Sequence, residues 1–152
     1  MENHRHLIIV ALCLLPANLA LGAPAAYAGQ ATVLLGPQII ALLEGKTLKG
    51  VYADGSPVQE TYAVGGKIPD YVDNHQSSTG TWSVVNNQLC TFYDSEMAGG
   101  CFRVEKLNDN CFDYFVMASS VEEALAPQER PRYTARAHIQ GVADTCPSDL
   151  TT

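Results

Sequence analysis

The sequence predicts an all-β domain: an antiparallel meander that curls into a small barrel or sandwich, with a short N-terminal helix and a short helix after the last strong strand. Three observations carry this expectation. From Lys46 onward apolar and polar residues alternate with the period of two that marks half-buried strands. The alternating runs are punctuated by Asp54-Gly55, Gly65-Gly66, Asn86-Asn87 and Asn108-Asp109-Asn110, which suit the tight turns of hairpins. No internal repeat and no strand-helix-strand rhythm interrupts the series, so a parallel sheet is not expected.

The elements follow in order. Gly36-Pro37 opens a helix, with Pro37 suited to the first turn, an apolar stripe of Ile39, Ile40, Leu42 and Leu43, and Gly45 as its C-terminal cap. Two turns are marginal alone, so the stripe must pack on something. Residues 47–52 read as a strand, and in 58–64 Val58, Glu60, Tyr62 and Val64 alternate with Gln59, Thr61 and Ala63. Residues 67–71 form a shorter strand, which Pro69 demotes to an edge because proline cannot donate to a ladder. The polar run 72–79 is expected to be a loop. Residues 80–85 and 88–93 make the clearest hairpin, since Asn tolerates the positive φ that a two-residue turn requires. A longer loop, 94–100, precedes strands at 101–106 and 111–118. Ser120 and Glu123 then resemble a capping box opening a short helix, 119–126, that stops at Pro127. A final strand is expected at 133–139, before a polar tail.

Residues 1–28 read as a secretory signal peptide. A short start with Arg5 and His6 leads into the apolar run 7–15, and Ala26-Tyr27-Ala28 offers a small-x-small cleavage site. The run is too short to span a bilayer, so no membrane span is expected once the signal is removed. Cys13 lies inside the run behind the bulky Leu12, a poor context for lipid attachment. The expected mature chain, residues 29–152, is a single domain destined for the periplasm or for secretion.

Export makes the four remaining cysteines interpretable as disulfides. Cys90, Cys101, Cys111 and Cys146 are separated by ten, nine and 34 residues, which lacks the close knuckle of a zinc site. A loop centred between Ser95 and Glu96 sets Cys90 opposite Cys101, the short separation a disulfide needs. Cys90 and Cys111 fall two strand steps apart, about 9.6 Å, which is too far. Cys111 then pairs with Cys146 and ties the tail to the sheet. Pairing Cys101 with Cys111, leaving Cys90 for Cys146, is the alternative.

Composition narrows the function classes. The chain is 47% hydrophobic and only 16% charged, as suits a compact core. Its net charge is −7, and removing residues 1–28 takes away one acid, Glu2, and one base, Arg5. An acidic chain without clustered Lys and Arg is not expected to bind nucleic acid or an anionic membrane surface.

The order Gly45-Lys46-Thr47 with Gly50, Glu60-Thr61-Tyr62, Gly65, Gly80-Thr81-Trp82, Leu89-Cys90, Tyr93 and Cys101 resembles a group of small exported bacterial proteins that carry a domain of unassigned function. The resemblance covers residues 45–116, implies a periplasmic or secreted location, and supplies no activity or catalytic residues. Cys111 and Cys146 lie outside the pattern. Gly80-Thr81-Trp82 is also similar to the Gly-x-Trp of lipocalin- and avidin-type barrels, although there it sits on the first strand.

No nucleophile elbow, phosphate-binding glycine loop or His-Glu-x-x-His is present, and no catalytic residue or cofactor is assigned. Asp70, Asp73 and His75 are the one weak metal candidate, two carboxylates and an imidazole within six residues. Polar loops collect such residues for solvation, and that reading is preferred. Aromatic residues recur on nearly every strand, chiefly as core. If the sheet closes, Tyr62, Tyr71, Tyr93 and Tyr114 become candidate ligand-lining residues, with apolar bodies and polar tips. The function expected is an exported, non-enzymatic β-domain that binds a small ligand or a protein partner of the cell envelope. A secreted inhibitor or host-interaction factor is the alternative, with a small hydrolase behind it.

Overall fold

Nine strands and one helix make up a computed structural model that describes residues 31–95, 99–118 and 133–147. In chain order they are β1 (Thr32–Val33), α1 (Gly36–Leu43), β2 (Lys46–Tyr52), β3 (Pro57–Ala63), β4 (Lys67–Asp73), β5 (Ser77–Val85), β6 (Gln88–Tyr93), β7 (Gly100–Asn108), β8 (Cys111–Val116) and β9 (Ala135–Ile139). Strands β2 to β9 each pair with their sequence neighbours, and β9 returns to pair with β2. The meander therefore closes into an eight-stranded antiparallel barrel, the first of the two architectures the sequence allows. Closure leaves no unpaired edge on the barrel wall.

The hairpins follow the turn chemistry. Asn86 and Asn87 adopt φ of 51° and 61°, joining β5 to β6 through the two-residue turn their sequence predicts. Gly55, Gly65 and Gly66 supply the positive φ of the β2–β3 and β3–β4 turns. At the first of these, Asp54 Oδ1 accepts hydrogen bonds from Ser56 N and Oγ.

Four expectations are corrected. Residues 72–79 are not a loop: β4 runs to Asp73, β5 starts at Ser77, and only 74–76 turn between them. Ladder pairing of Val72 with Ser77 makes strand of a polar sequence, because the turn needs only three residues. Nor is β4 an edge, since it pairs with β3 and β5. Pro69 is accommodated because the β4–β5 register shifts between Ile68 and Tyr71, so its missing N–H falls at the irregularity. Ile40 leaves the predicted helix stripe and is 42% exposed, whereas Ile39 and Leu43, four residues apart, are fully buried. Finally, β1 was not expected. It pairs with Glu105 and Lys106 of β7, beyond the stretch at Gly100–Phe102 that β6 covers. The expected signal peptide, residues 1–28, and the helix at 119–126 lie outside the described residues.

Helix α1 plugs one end of the barrel. At its start, Gly36 N donates to Asn87 Oδ1 in the β5–β6 turn at 2.8 Å, and Gln38 Oε1 accepts from Leu35 N at 2.7 Å. At its close, Gly45 takes φ of 73° and donates its N–H to Tyr62 O of β3 at 2.7 Å. Eight residues span about 12 Å, and the helix packs against β2, β5 and β6. Ile39 and Leu43 point inward and join Leu48, Ile68, Trp82, Leu89, Val104 and Phe112 in one core.

Both disulfides are formed, Cys90–Cys101 and Cys111–Cys146. The first joins directly opposed residues of β6 and β7. The second anchors the segment after β9 to the start of β8. Asn110 reinforces that anchor: it is buried, its Nδ2 donates to Ala143 O at 2.9 Å, and its Oδ1 accepts from Ile139 N at 2.9 Å. Among the described residues no helix is long and apolar enough to cross a membrane.

Candidate functional site in the barrel lumen

Alternation along each strand decides what enters the lumen. On β2 it is Leu48, Gly50 and Tyr52; on β3, Val58, Glu60 and Tyr62; on β6, Leu89, Thr91 and Tyr93. Phe102, Tyr114, Ala135 and Ala137 complete most of the wall around a cavity of about 70 Å³. The plugged end is filled by the core around α1. The cavity therefore extends toward the other end, where Tyr52 and Tyr93 end β2 and β6 and Thr134 precedes β9. The bare Cα of Gly50 lets β9 approach closely, since a Cβ there would fall 2.0 Å from Arg136 O.

One carboxylate sits in this aromatic chamber. Glu60 Oε2 accepts from Tyr62 Oη at 2.5 Å, and Oε1 accepts from Tyr93 Oη at 2.7 Å. Burial pushes the Glu60 carboxyl above its ordinary value, and the two phenol hydrogen bonds offset part of that rise. Burial likewise raises Tyr62, Tyr93 and Tyr114, and the charge of Glu60 adds to each. Tyr114 is buried, and among the described residues its hydroxyl has no hydrogen-bond partner. Leaving such a group unpaired costs about 1–3 kcal/mol.

A second polar row runs beside the first. Tyr71 Oη donates to Asp73 Oδ2 at 2.8 Å, so Tyr52 Oη, 2.6 Å away, donates to Tyr71. Tyr71 packs its ring on Tyr93 with centroids 4.8 Å apart. On the closed side, Tyr62 meets Trp82 edge-on at 5.7 Å, and the indole N–H donates to Ala63 O at 3.0 Å.

Of the four tyrosines singled out in the sequence, Tyr62, Tyr93 and Tyr114 line the cavity, and Tyr71 stands behind Tyr93. Asp70, Asp73 and His75 are used otherwise. Asp70 accepts from Gln59 Nε2 at 3.2 Å, and Asp73 Oδ1 closes the β4–β5 turn by accepting from His75 N and Gln76 N. Among the described residues, the side chains whose possible ligand atoms do gather within 4.8 Å are His138, Asp144 and Cys146, and Cys146 is bonded to Cys111. Sequence reading missed Glu60 and Tyr52 as lumen residues. The signal for Glu60 was present: it shares the parity of Val58 and Tyr62, an acid on the apolar face of its strand.

No family model, no curated protein and no solved structure matches this chain.

Proposed function

We propose that this chain is an exported binding protein whose barrel lumen takes up a small, largely apolar ligand without chemically converting it. The observation that supports this reading is the lumen cavity itself. It combines an aliphatic and aromatic wall, one carboxylate and the Tyr114 hydroxyl, which has no partner among the described residues, the usual composition of a small-molecule site. Its volume of about 70 Å³ suits a compact molecule or a single side group and not a large cofactor. Export to the periplasm or beyond is supported by the signal-like residues 1–28, by the resemblance to small exported bacterial proteins, and by two disulfides of the kind that form in oxidising compartments.

The test is a thermal shift of residues 29–152 with n-butanol, a compact amphiphile, at millimolar concentration. Binding to the folded state alone raises Tm with the logarithm of ligand concentration. A concentration-dependent rise supports lumen binding. A flat or falling Tm counts against it.

A further inference from the structure

No cation among the described residues pairs with the lumen carboxylate. Among the described residues, the side chains around the cavity are aliphatic, aromatic or hydroxyl-bearing apart from Glu60, and no Lys, Arg or His is one of them. The two partners of Glu60 are neutral phenols, and none of its neighbours stabilises the ionised form by opposite charge. Ionised carboxylates inside proteins are normally paired, because desolvating a lone charge is expensive. Two phenol donors supply part of that compensation, and no side chain of the lining supplies the opposite charge.

Aromatic faces around such a charge have their own chemistry. Tyr52, Tyr62, Tyr93, Phe102 and Tyr114 line the same cavity. Their ring faces attract a cation, and the attraction strengthens where water is excluded. A carboxylate with aromatic walls favours an ammonium group over a neutral or anionic one. Tyr114 Oη supplies the second polar contact, since it is buried, without a partner among the described residues and able to accept a hydrogen bond.

We propose that the ligand is a small organic cation, an alkylammonium whose charged head is held by Glu60 and Tyr114 and whose apolar tail lies against Leu48, Leu89 and Ala137. The assignment rests on the lumen-binding reading above and goes further by naming the ligand's charge and the residues that recognise it.

The experiment is isothermal titration of the mature chain, residues 29–152, with three probes of nearly equal size: n-butylammonium, n-butanol and n-butyrate. The expected result is n-butylammonium binding about tenfold or more tightly than n-butanol, as a charge-assisted hydrogen bond exceeds a neutral one. Butyrate is expected to bind least. In Glu60→Gln the preference for the ammonium collapses to within about threefold while n-butanol binding persists. Tyr114→Phe, which leaves Glu60 in place, weakens the ammonium more than the alcohol. If n-butanol binds as well as n-butylammonium to the unmodified chain, the cation assignment is overturned and lumen binding stands. If none of the three binds, both fall.

Discussion

Glu60 of β3 and Tyr93 of β6 meet across the barrel, Oε1 to Oη at 2.7 Å, although β4 and β5 separate their strands in the wall. A sheet that stayed open would hold these residues about 14 Å apart, three strand steps. Curling brings them together. The same closure takes Glu60 out of water and surrounds it with phenols, so the fold and the electrostatics of the candidate site have one cause.

A first prediction concerns pH. Burial raises the Glu60 carboxyl above its ordinary value of 4.5, so the folded state holds the proton to higher pH than the unfolded chain does. Stability contributed by the protonated form is complete below 4.5 and is lost as pH rises through the folded value. Glu60→Gln removes that loss. The difference in Tm between Glu60→Gln and the unmodified chain should therefore move in favour of the variant as pH rises from 4 to 8, by differential scanning calorimetry. A difference independent of pH would contradict the buried carboxylate. Groups common to both chains, including Asp73, whose carboxyl hydrogen bonds lower, cancel in this comparison.

Trp82 supplies the second. It is the chain's one tryptophan, 7% exposed, and its indole N–H is committed to Ala63 O across β4. Trp82→Ala should cost about 3–5 kcal/mol in urea unfolding followed by far-ultraviolet circular dichroism. Trp82→Phe keeps most of the packing and loses the hydrogen bond, so it should cost about 1–3 kcal/mol. A negligible cost for Trp82→Phe would show that the indole N–H contributes nothing, and equal costs for the two variants would show that the packing Phe retains contributes nothing.

The barrel seam gives a third. Gly50 of β2 faces β9, where an added Cβ would meet Arg136 O at 2.0 Å and Ala137 Cα at 2.7 Å, both backbone atoms that cannot swing aside. Gly50→Ala should destabilise by about 1–3 kcal/mol or more and reduce hydrogen-exchange protection at the β2–β9 ladder before that at β5–β6. Uniform loss of protection would place the strain elsewhere.

The disulfides should be unequal. Cys90–Cys101 closes 11 residues between positions the ladder already opposes, and Cys111–Cys146 closes 35. Chain entropy predicts losses of about 3 and about 4 kcal/mol on replacing each pair by serine. Thermal denaturation of the two double variants checks the order. A larger loss for the short loop would mean that strain or denatured-state structure outweighs entropy.

Much of this architecture was legible in local chemistry. Period-two alternation placed all the barrel strands, and the Asn-Asn and Gly-Gly pairs located their turns. Register arithmetic around Ser95 and Glu96 placed Cys90 against Cys101. What stayed hidden depends on contacts distant in sequence. Polar residues 77–79 are strand because β4 pairs with this stretch, Tyr71 with Ser78 and Val72 with Ser77, and Pro69 is tolerated centrally because of a register shift that no local pattern announces. Strand β1 has two residues and exists because β7 outruns β6. The candidate site is of the same kind. Strand parity puts Glu60 on the inward face with Val58 and Tyr62, but its partner Tyr93 comes from a distant strand and meets it only when the barrel closes.

The central claim, that the lumen is a binding site, is tested most directly by two-dimensional ¹H–¹³C methyl spectra of residues 29–152 titrated with n-butanol. Leu48, Val58, Leu89, Ala135 and Ala137 line the cavity, whereas Val33, Ile40, Val64 and Val85 are exposed. Saturable shifts confined to the first set are the predicted result. Shifts confined to the exposed set, or none in the lumen methyls at saturating probe, would contradict it.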